Sequence, residues 1–137
     1  MNEFWDKRFS SYKQAYGCDP NRFLKEILDK EKAGKLLLPG EGEGRNAVYA
    51  ASKGWDVDAV DFSTVARNHA LKWAEDNEVN FNYFIDQVEN FKPVCKYDLI
   101  AVIFVHLEAP ERIYVQRRRK HTSCVEVVRI EGSVVLL

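Results

Sequence analysis

KLLLPGEGEGRN, residues 35–46, is the stretch that decides the fold. Its consecutive leucines predict a buried parallel strand. Gly40, Gly42 and Gly44 follow at alternate positions, and the apolar pattern from Ala47 onward predicts a helix. Glycine permits a tight turn and the close approach of a ligand, and a helix N-terminus offers unpaired backbone N–H groups. A strand, a glycine-rich turn and a helix in this order therefore predict a ligand cradle; the alternative is a strand-to-helix turn without a ligand.

The next predicted strand, residues 55–60, supports the ligand interpretation. It is followed by Asp61. This carboxylate comes about 20 residues after the glycines, which is the spacing at which an acid binds the ribose hydroxyls of a nucleoside cofactor. Two cofactors fit this arrangement: a nicotinamide dinucleotide and S-adenosylmethionine.

The charges of the loop favour the second cofactor. Gly42, Gly44 and Ala47 satisfy the dinucleotide fingerprint, so the glycines alone do not decide. Glu41 and Glu43 lie between the glycines. Two carboxylates would repel a pyrophosphate but not a cationic sulfonium, unless the glutamates point to solvent.

The rest of the chain alternates predicted helices and strands. This pattern predicts an α/β fold with an open, mostly parallel sheet, right-handed crossovers and the strand order 3-2-1-4-5. His69 is expected on the solvated face of its helix. Strands are predicted at residues 35–38, 55–60, 81–85 and 97–104. Helices are predicted at residues 2–12, between the N-cap Asp19 and Gly34, at residues 45–53, after the N-cap Ser63 and after Pro110.

The carboxyl ends of these strands predict one shared site. The glycine turn Gly40–Gly44, Asp61, Asp86 and Val105-His106 each follow a predicted strand. In open parallel sheets, ligands bind outside the carboxyl ends of the strands. We therefore expect these residues to lie close together.

The C-terminal residues 124–137 allow two interpretations. In the favoured one, the last helix continues to about Ile130, the chain turns at Glu131-Gly132, and residues 133–137 form strand five. In the other, residues 125–130 and 133–137 pair as a hairpin, for which the β-branched valines argue.

Residues 36–46, followed by Val60-Asp61-Phe62-Ser63, resemble motifs I and II of class I S-adenosylmethionine-dependent methyltransferases. The GRNA sequence at residues 44–47 and the FWDKRF sequence at residues 4–9 are similar to the branch that includes the tellurite-resistance (TehB-like) and thiopurine methyltransferases. The resemblance covers about residues 4–113. It departs from the family at Leu38, where most members have an acid.

The resemblance implies a Rossmann-like methyltransferase domain that uses S-adenosylmethionine. Asp61 would bind the ribose hydroxyls and Phe62 would pack on the adenine. Asp86 would bind the adenine amino group, or it is a strand-end turn residue. The implied cofactor-binding residues are Trp5, Arg8, Gly40, Glu41, Gly42, Gly44, Asn46, Asp61, Phe62, Ser63, Asp86 and Val105.

Two of the implied positions have a plainer alternative. Trp5 and Arg8 would lie near the cofactor entrance, or Trp5 belongs to a helix that packs aromatic side chains on the core. His106 is the candidate base or acceptor-orienting group, or it is a hydrogen-bonded histidine beside the pocket.

Composition restricts the class of protein. With 137 residues, 46% hydrophobic residues and a net charge of −1, the chain predicts one globular domain, residues 1–137. Such a charge gives no overall attraction to nucleic acid or to a membrane surface. The basic run at residues 117–120 is expected to be a solvated helix face, with a nucleic-acid contact as the alternative. Cys18, Cys95 and Cys124 lack metal-ligand spacing and predict reduced thiols. We expect no metal, no signal peptide, no membrane span and a cytoplasmic location.

Three functional hypotheses follow. The first is S-adenosylmethionine-dependent methyl transfer to a small-molecule acceptor of thiol, selenium or tellurium type. The second is a shortened homologue that binds the cofactor with little turnover, because by resemblance strands six and seven and part of the acceptor pocket are missing. The third is a dinucleotide-binding oxidoreductase subunit. We also expect a homo-oligomer that forms through the apolar C-terminal edge strand.

Overall fold

A computed structural model describes residues 2–11, 17–88, 90–92, 95, 97–102, 127–130 and 133–136. The helices are α1 (Asn2–Ser11), α2 (Arg22–Lys30), α3 (Arg45–Ser52) and α4 (Thr64–Asp76). The strands are β1 (Lys35–Pro39), β2 (Asp56–Asp61), β3 (Asn82–Ile85), β4 (Leu99–Ile100), β5 (Val127–Ile130) and β6 (Ser133–Leu136). Among these residues, no helix is long and apolar enough to cross a membrane.

The central sheet has four strands in the order β3-β2-β1-β4, and every neighbouring pair is parallel. In the register of β1 and β2, Leu36 lies opposite Val57 and Leu38 lies opposite Ala59. The predicted α/β class and the order 3-2-1-4 are therefore confirmed. Parallel pairing brings the carboxyl ends of β1, β2 and β3 to the same edge, which is where the predicted site lies.

The core forms between one face of this sheet and the helices. Leu24 and Leu28, one turn apart on α2, pack with Leu36 and Leu38 of β1 and with Ala47 of α3. Burial of each leucine stabilises the fold by about 1.5–3 kcal/mol. Alternate residues of the strands thus fix α2 and α3 on the sheet and hold β1 rigidly behind the glycine turn.

The start of α2 differs from the prediction. The N-cap is Asn21, whose side-chain oxygen accepts the N–H of Leu24 at 3.1 Å, so Asp19 and Pro20 precede the helix. The N–H of Asn21 donates to Asn46 Oδ1 at 2.8 Å, and an Arg45 guanidinium nitrogen donates to the carbonyl of Asp19 at 3.2 Å. Contacts with α3 therefore decide this boundary, and a local propensity pattern does not contain them.

The favoured interpretation of the C-terminus is wrong. Residues 127–130 form strand β5, not helix, and pair antiparallel with β6, with Val128 opposite Val135. The two strands form a separate sheet, so the predicted fifth strand does not extend the central one. The local cause is the one noted for the alternative: β-branched residues on both sides of a two-residue turn favour a hairpin.

Several predictions concern residues 103–126, which lie outside the described residues. They are the distal half of strand four, Val105, His106, the helix after Pro110 and the basic run at residues 117–120. Among the described residues, strand four is limited to Leu99–Ile100, followed by the buried Ala101 and Val102.

The edge of the sheet opposite the glycine turn contains a buried carboxylate, Asp58. It is 4% exposed and accepts hydrogen bonds from the Tyr97 hydroxyl at 2.6 Å and from Asn82 Nδ2 at 2.9 Å. Lys35 Nζ lies 3.6 Å from the same carboxylate. The pKa of Tyr97 is raised by burial and by Asp58, so its hydroxyl remains a donor. These contacts tie β2 to β3, to β1 and to the chain before β4.

Removing this hydroxyl should destabilise the fold. We expect Tyr97→Phe to lower the free energy of unfolding by about 1.5–3 kcal/mol, because a buried carboxylate loses a donor. Tyr49→Phe is the matched control, since the Tyr49 hydroxyl donates to the exposed Asp29. The control should cost less than about 0.5 kcal/mol. Urea denaturation measures both, and equal losses would contradict the role given to Asp58.

Candidate functional site

The glycine loop (Gly40–Gly44) links β1 to α3 and has a backbone that only glycine adopts readily. Gly40, Gly42 and Gly44 have φ angles of 69°, 64° and 87°, in the left-handed region that is disfavoured for other residues. At the start of the loop, the N–H groups of Gly40 and Glu41 both donate to the carbonyl of Val60, at 2.7 and 3.3 Å. The loop therefore leaves β1 directly towards the end of β2.

Two side chains form hydrogen bonds with the backbone of Gly42. The N–H of Gly42 donates to Asp61 Oδ2 at 2.9 Å, and its carbonyl accepts the hydroxyl of Tyr83 at 2.6 Å. The pKa of Tyr83 is raised, first by burial and then by the nearby Asp61 and Glu41 carboxylates. Tyr83 therefore remains a neutral phenol whose hydroxyl donates to the Gly42 carbonyl.

Asp61 is the predicted ribose-binding acid, and its carboxylate has room for further donors. It is 7% exposed, and its second oxygen accepts the N–H of Ser63 at 3.0 Å. Burial raises the pKa of Asp61, while the N–H groups of Ser63, Gly42 and Phe62 oppose the shift. A carboxylate has about four acceptor positions. The backbone N–H groups of Gly42, Ser63 and Phe62 do not fill these positions, so the carboxylate keeps acceptor capacity for a ribose hydroxyl.

Glu41 caps α3 from within the loop. Its Oε1 accepts the N–H groups of Asn46 and Ala47, at 2.9 and 3.0 Å. The side chain is 8% exposed, and Gly44 at the N-cap position has no side chain to do this. The prediction that the start of α3 presents unpaired N–H groups is therefore wrong for Asn46 and Ala47, because the chain itself supplies the acceptor.

Glu43 is also buried, at 5% exposure, and its Oε2 lies 2.7 Å from His69 Nδ1. His69 projects from α4 and is only partly exposed. Its expected position on a solvated face is wrong, because the loop carboxylate draws the imidazole inward. Neither loop glutamate points to solvent, so the condition on which the charge argument depended is met.

The helix α1 lies against this loop. Phe9 is 3% exposed, and a Cβ on Gly42 would lie 3.3 Å from its Cζ. Trp5 stacks on Phe9 with 5.9 Å between ring centroids, while Arg8 is exposed. The Ser63 hydroxyl donates to Asp6 Oδ1 at 2.5 Å. Trp5, which the resemblance places near the cofactor entrance, thus packs on Phe9 beside the loop, on a helix tied to the end of β2.

Gly44 and Ser63 position α3 and α4. A Cβ on Gly44 would lie 2.8 Å from the Cβ of Ala70, so glycine here permits close packing of the loop on α4. The Ser63 hydroxyl oxygen accepts the N–H of Ala66 at 3.1 Å, which confirms Ser63 as the N-cap of α4. Both contacts have a structural role, because they hold α4 close to the glycine loop and to the end of β2.

Three more predicted site residues have clear positions. The N–H of Asp86 donates to the carbonyl of Asp61 at 3.1 Å, so the ends of β2 and β3 meet as expected. The Asp86 side chain accepts the N–H of Gln87 at 2.8 Å, as a strand-end turn residue would. Phe62 follows directly and is partly buried. Asn46 Oδ1 accepts the N–H of Asn21, the N-cap of α2, and the Asn46 side chain also acts on Glu41 of the loop.

The electrostatic character of the cradle follows from these positions. Glu41, Glu43 and Asp61 are all buried around the glycine loop, with Asp6 close enough to raise the pKa of Asp61. Over the described residues, no group of three or more acidic, histidine or cysteine side chains is arranged to hold a metal ion. The arrangement is suited to a ligand with hydroxyl donors and a positive charge.

Comparison with known proteins agrees with this geometry. The sequence profile of a family described as "Tellurite resistance protein TehB" matches residues 9–127, which is most of the chain.

The chain belongs to the TehB family.

Solved structures with the same fold include the TehB of Haemophilus influenzae, with a TM-score of 0.57 and 19% identity over 69% of this chain and 34% of that one. A methyltransferase of Thiobacillus denitrificans in complex with S-adenosyl-L-homocysteine has a TM-score of 0.61 and 17% identity, over 77% of this chain and 44% of that one. A putative S-adenosyl-L-methionine-dependent methyltransferase of Methanococcus maripaludis has a TM-score of 0.58 and 23% identity, over 68% and 47% of the two chains.

These likenesses establish the fold that this TehB family member shares with methyltransferases. The chain spans less than half the length of each of the three structures. No curated protein matches its sequence.

Sequence reasoning missed three residues of the site: Tyr83, His69 and Asp6. Tyr83 gave a usable signal, because it alternates with Phe81 and Ile85 along a strand, and one face of that strand must be buried. His69 and Asp6 gave none. Their partners, Glu43 and Ser63, are 26 and 57 residues away in sequence, so only the packing of α4 and α1 brings them together.

The buried cap should make stability depend on pH. The pKa of Glu41 rises from 4.5 to about 7, because burial disfavours the carboxylate more than the N–H groups of Ala47 and Asn46 favour it. Between these values the folded state keeps a proton that the unfolded state releases, so stability falls as pH rises. In Glu41→Gln this contribution is absent. We expect the variant to gain up to about 3 kcal/mol relative to the wild type between pH 4.5 and 7.5.

Urea denaturation across this pH range measures the effect. Glu75→Gln, on an exposed side chain of α4, is the control and should follow the wild-type pH profile. If the Glu41→Gln and wild-type profiles run parallel, Glu41 does not hold a proton in the folded state.

Proposed function

We propose that this chain binds S-adenosylmethionine at the glycine loop and transfers its methyl group to a small-molecule acceptor. One observation carries the proposal: the buried Asp61 carboxylate fixes Gly42 and keeps acceptor capacity beyond its backbone partners. A nucleoside ribose offers neighbouring hydroxyl donors for that capacity. Membership of the TehB family, and the fold shared with methyltransferases described as S-adenosyl-L-homocysteine complexes, support the same cofactor.

The charges of the loop support a sulfonium ligand over a dinucleotide. Glu41 and Glu43 are buried. Above about pH 7, where Glu41 is ionised, burial makes an unfavourable charge pair with a ligand anion more costly than it would be in water. A pyrophosphate brought to this loop would face both, whereas S-adenosylmethionine carries a positive charge. The oxidoreductase hypothesis therefore has no support from the site.

Bound S-adenosylmethionine supplies an already activated methyl group, so the protein has to bind and align. Asp61 would accept the ribose hydroxyls, and the α1 aromatics Trp5 and Phe9 would exclude water from the loop. Methyl transfer to a thiolate or a related anion is an in-line displacement whose rate depends on alignment. Such an acceptor reacts as the anion, so no elaborate set of acid and base residues is needed.

The finer assignments stay predictions. They are an acceptor of thiol, selenium or tellurium type, the role of His106 as base, the contacts of Val105 and Phe62, a cytoplasmic location and self-association of the chain. The TehB name of the family favours a tellurium or selenium acceptor within this group.

Replacing Asp61 should weaken cofactor binding. We expect Asp61→Ala to reduce the affinity for S-adenosylhomocysteine by about 1–3 kcal/mol, because two charge-assisted hydrogen bonds lose their acceptor. Asp61→Asn, which keeps one oxygen acceptor, should lose less. Asp56→Ala, at the exposed opposite end of β2, is the control and should bind as the wild type does. Titration calorimetry measures all four proteins, and unchanged affinity in Asp61→Ala would remove the basis of the proposal.

Turnover needs a separate measurement. We expect the chain to transfer a radiolabelled methyl group from S-adenosylmethionine to at least one of a panel of thiol, selenide and tellurite acceptors. Sedimentation of the same samples records the oligomeric state. Binding of S-adenosylmethionine without transfer to any acceptor would favour the hypothesis of a cofactor-binding chain without turnover.

A further inference from the structure

We propose that Glu41 determines the class of cofactor, because it occupies the anion-binding position at the start of α3 and thereby excludes phosphate-bearing ligands. The inference rests on the proposed function, since it concerns the same glycine loop. It assigns to one residue the discrimination between a sulfonium nucleoside and a dinucleotide.

The N–H groups at the start of α3 already have an acceptor, the Glu41 side chain. In glycine-rich strand–turn–helix units, the first backbone N–H groups of the helix are the usual contacts of a phosphate. Here the N–H groups of Asn46 and Ala47 both donate to Glu41 Oε1, at 2.9 and 3.0 Å. The Glu41 side chain is buried and reaches these groups from inside the loop. The chain thus fills this position with its own carboxylate.

Displacing that carboxylate would be unfavourable. A phosphate that took the N–H groups would leave Glu41 buried without them, and two negative groups would then share the start of α3. The cation at the start of α3 is Arg45, which donates to the carbonyl of Asp19 and also acts on Glu41. A phosphate at these two N–H groups would therefore compete with Glu41 both for the donors and for this charge.

The sequence pattern of the loop makes Glu41 the residue to test. Gly42, Gly44 and Ala47 satisfy the dinucleotide fingerprint, so the glycines do not discriminate. Glu43 has a different partner, His69 on α4. Asp61 does not discriminate either, because both cofactors have a ribose that such an acid can bind. What remains particular to this loop is a carboxylate hydrogen-bonded to the N–H groups that a phosphate would use.

The experiment compares ligand selectivity in four proteins: the wild type, Glu41→Gln, Glu41→Ala and Glu43→Gln. Calorimetric titrations at pH 8 use S-adenosylhomocysteine, NADH and ADP. We expect the wild type to bind S-adenosylhomocysteine and to bind NADH and ADP far more weakly. In Glu41→Ala, the affinity for NADH and ADP should rise at least about tenfold relative to that for S-adenosylhomocysteine. Glu41→Gln keeps an acceptor without the charge and should show a smaller rise, and Glu43→Gln a smaller rise than Glu41→Ala.

The outcomes separate this inference from the proposed function. If Glu41→Ala binds S-adenosylhomocysteine but shows wild-type selectivity, or if the wild type binds NADH as tightly as S-adenosylhomocysteine, the role of Glu41 is wrong. If no protein binds S-adenosylhomocysteine while Glu41→Ala gains ADP, the proposed function fails and the exclusion of phosphate stands. If circular dichroism finds Glu41→Ala unfolded, Glu41→Gln decides, with a gain in ADP affinity supporting the inference and no gain contradicting it.

Discussion

The hydrogen bond from the Gly42 N–H to Asp61 is the interaction on which the site depends. It joins the centre of the glycine loop to the end of β2 at 2.9 Å, and the Tyr83 hydroxyl holds the carbonyl of the same residue from β3. The ends of β1 and β2 and the Tyr83 side chain of β3 therefore fix the backbone of one residue, Gly42. The parallel pairing of β1, β2 and β3 is what brings them to one edge. A loop held in this way is preorganised, so a ligand that binds it does not have to order it.

In this site the protein itself, and not a ligand, supplies the negative charge at the glycine loop. Glu41 satisfies the start of α3, and Glu43 pairs with His69 from α4. In a phosphate-binding loop of similar sequence, the ligand would bring the anion and the loop would supply donors. In the role that we propose for Glu41, the two classes of cofactor differ in whether the protein or the ligand supplies the anion at the start of α3. Buried carboxylates carry a cost in stability, which the raised pKa of Glu41 records.

Much of this arrangement is predictable from sequence, and the parts that are not have a common cause. A strand, a turn and a ribose-binding acid are predicted from Leu36–Leu38, the glycines and Asp61. The alternation of strands and helices then predicts a parallel sheet. The predicted start of α2 was wrong because the N–H of Asn21 donates to the side chain of Asn46 in α3. The solvated position expected for His69 was wrong because its partner, Glu43, lies on the glycine loop. At the C-terminus the β-branched residues indicated the hairpin correctly, although the interpretation with a helix and a fifth strand was the favoured one. Errors thus arise where distant contacts overrule a local pattern.

Backbone amide NMR during titration with S-adenosylhomocysteine tests the central claim most directly. The amides of Gly40, Gly42 and Gly44 and those of residues 61–63 and 86 should shift together and saturate with one dissociation constant. Those at the opposite edge of the sheet, Lys35, Asp56 and Tyr97, should remain unchanged. A titration in which the glycine amides do not move, or in which the shifts gather at that opposite edge, would contradict the assignment of the glycine loop and Asp61 as the cofactor site.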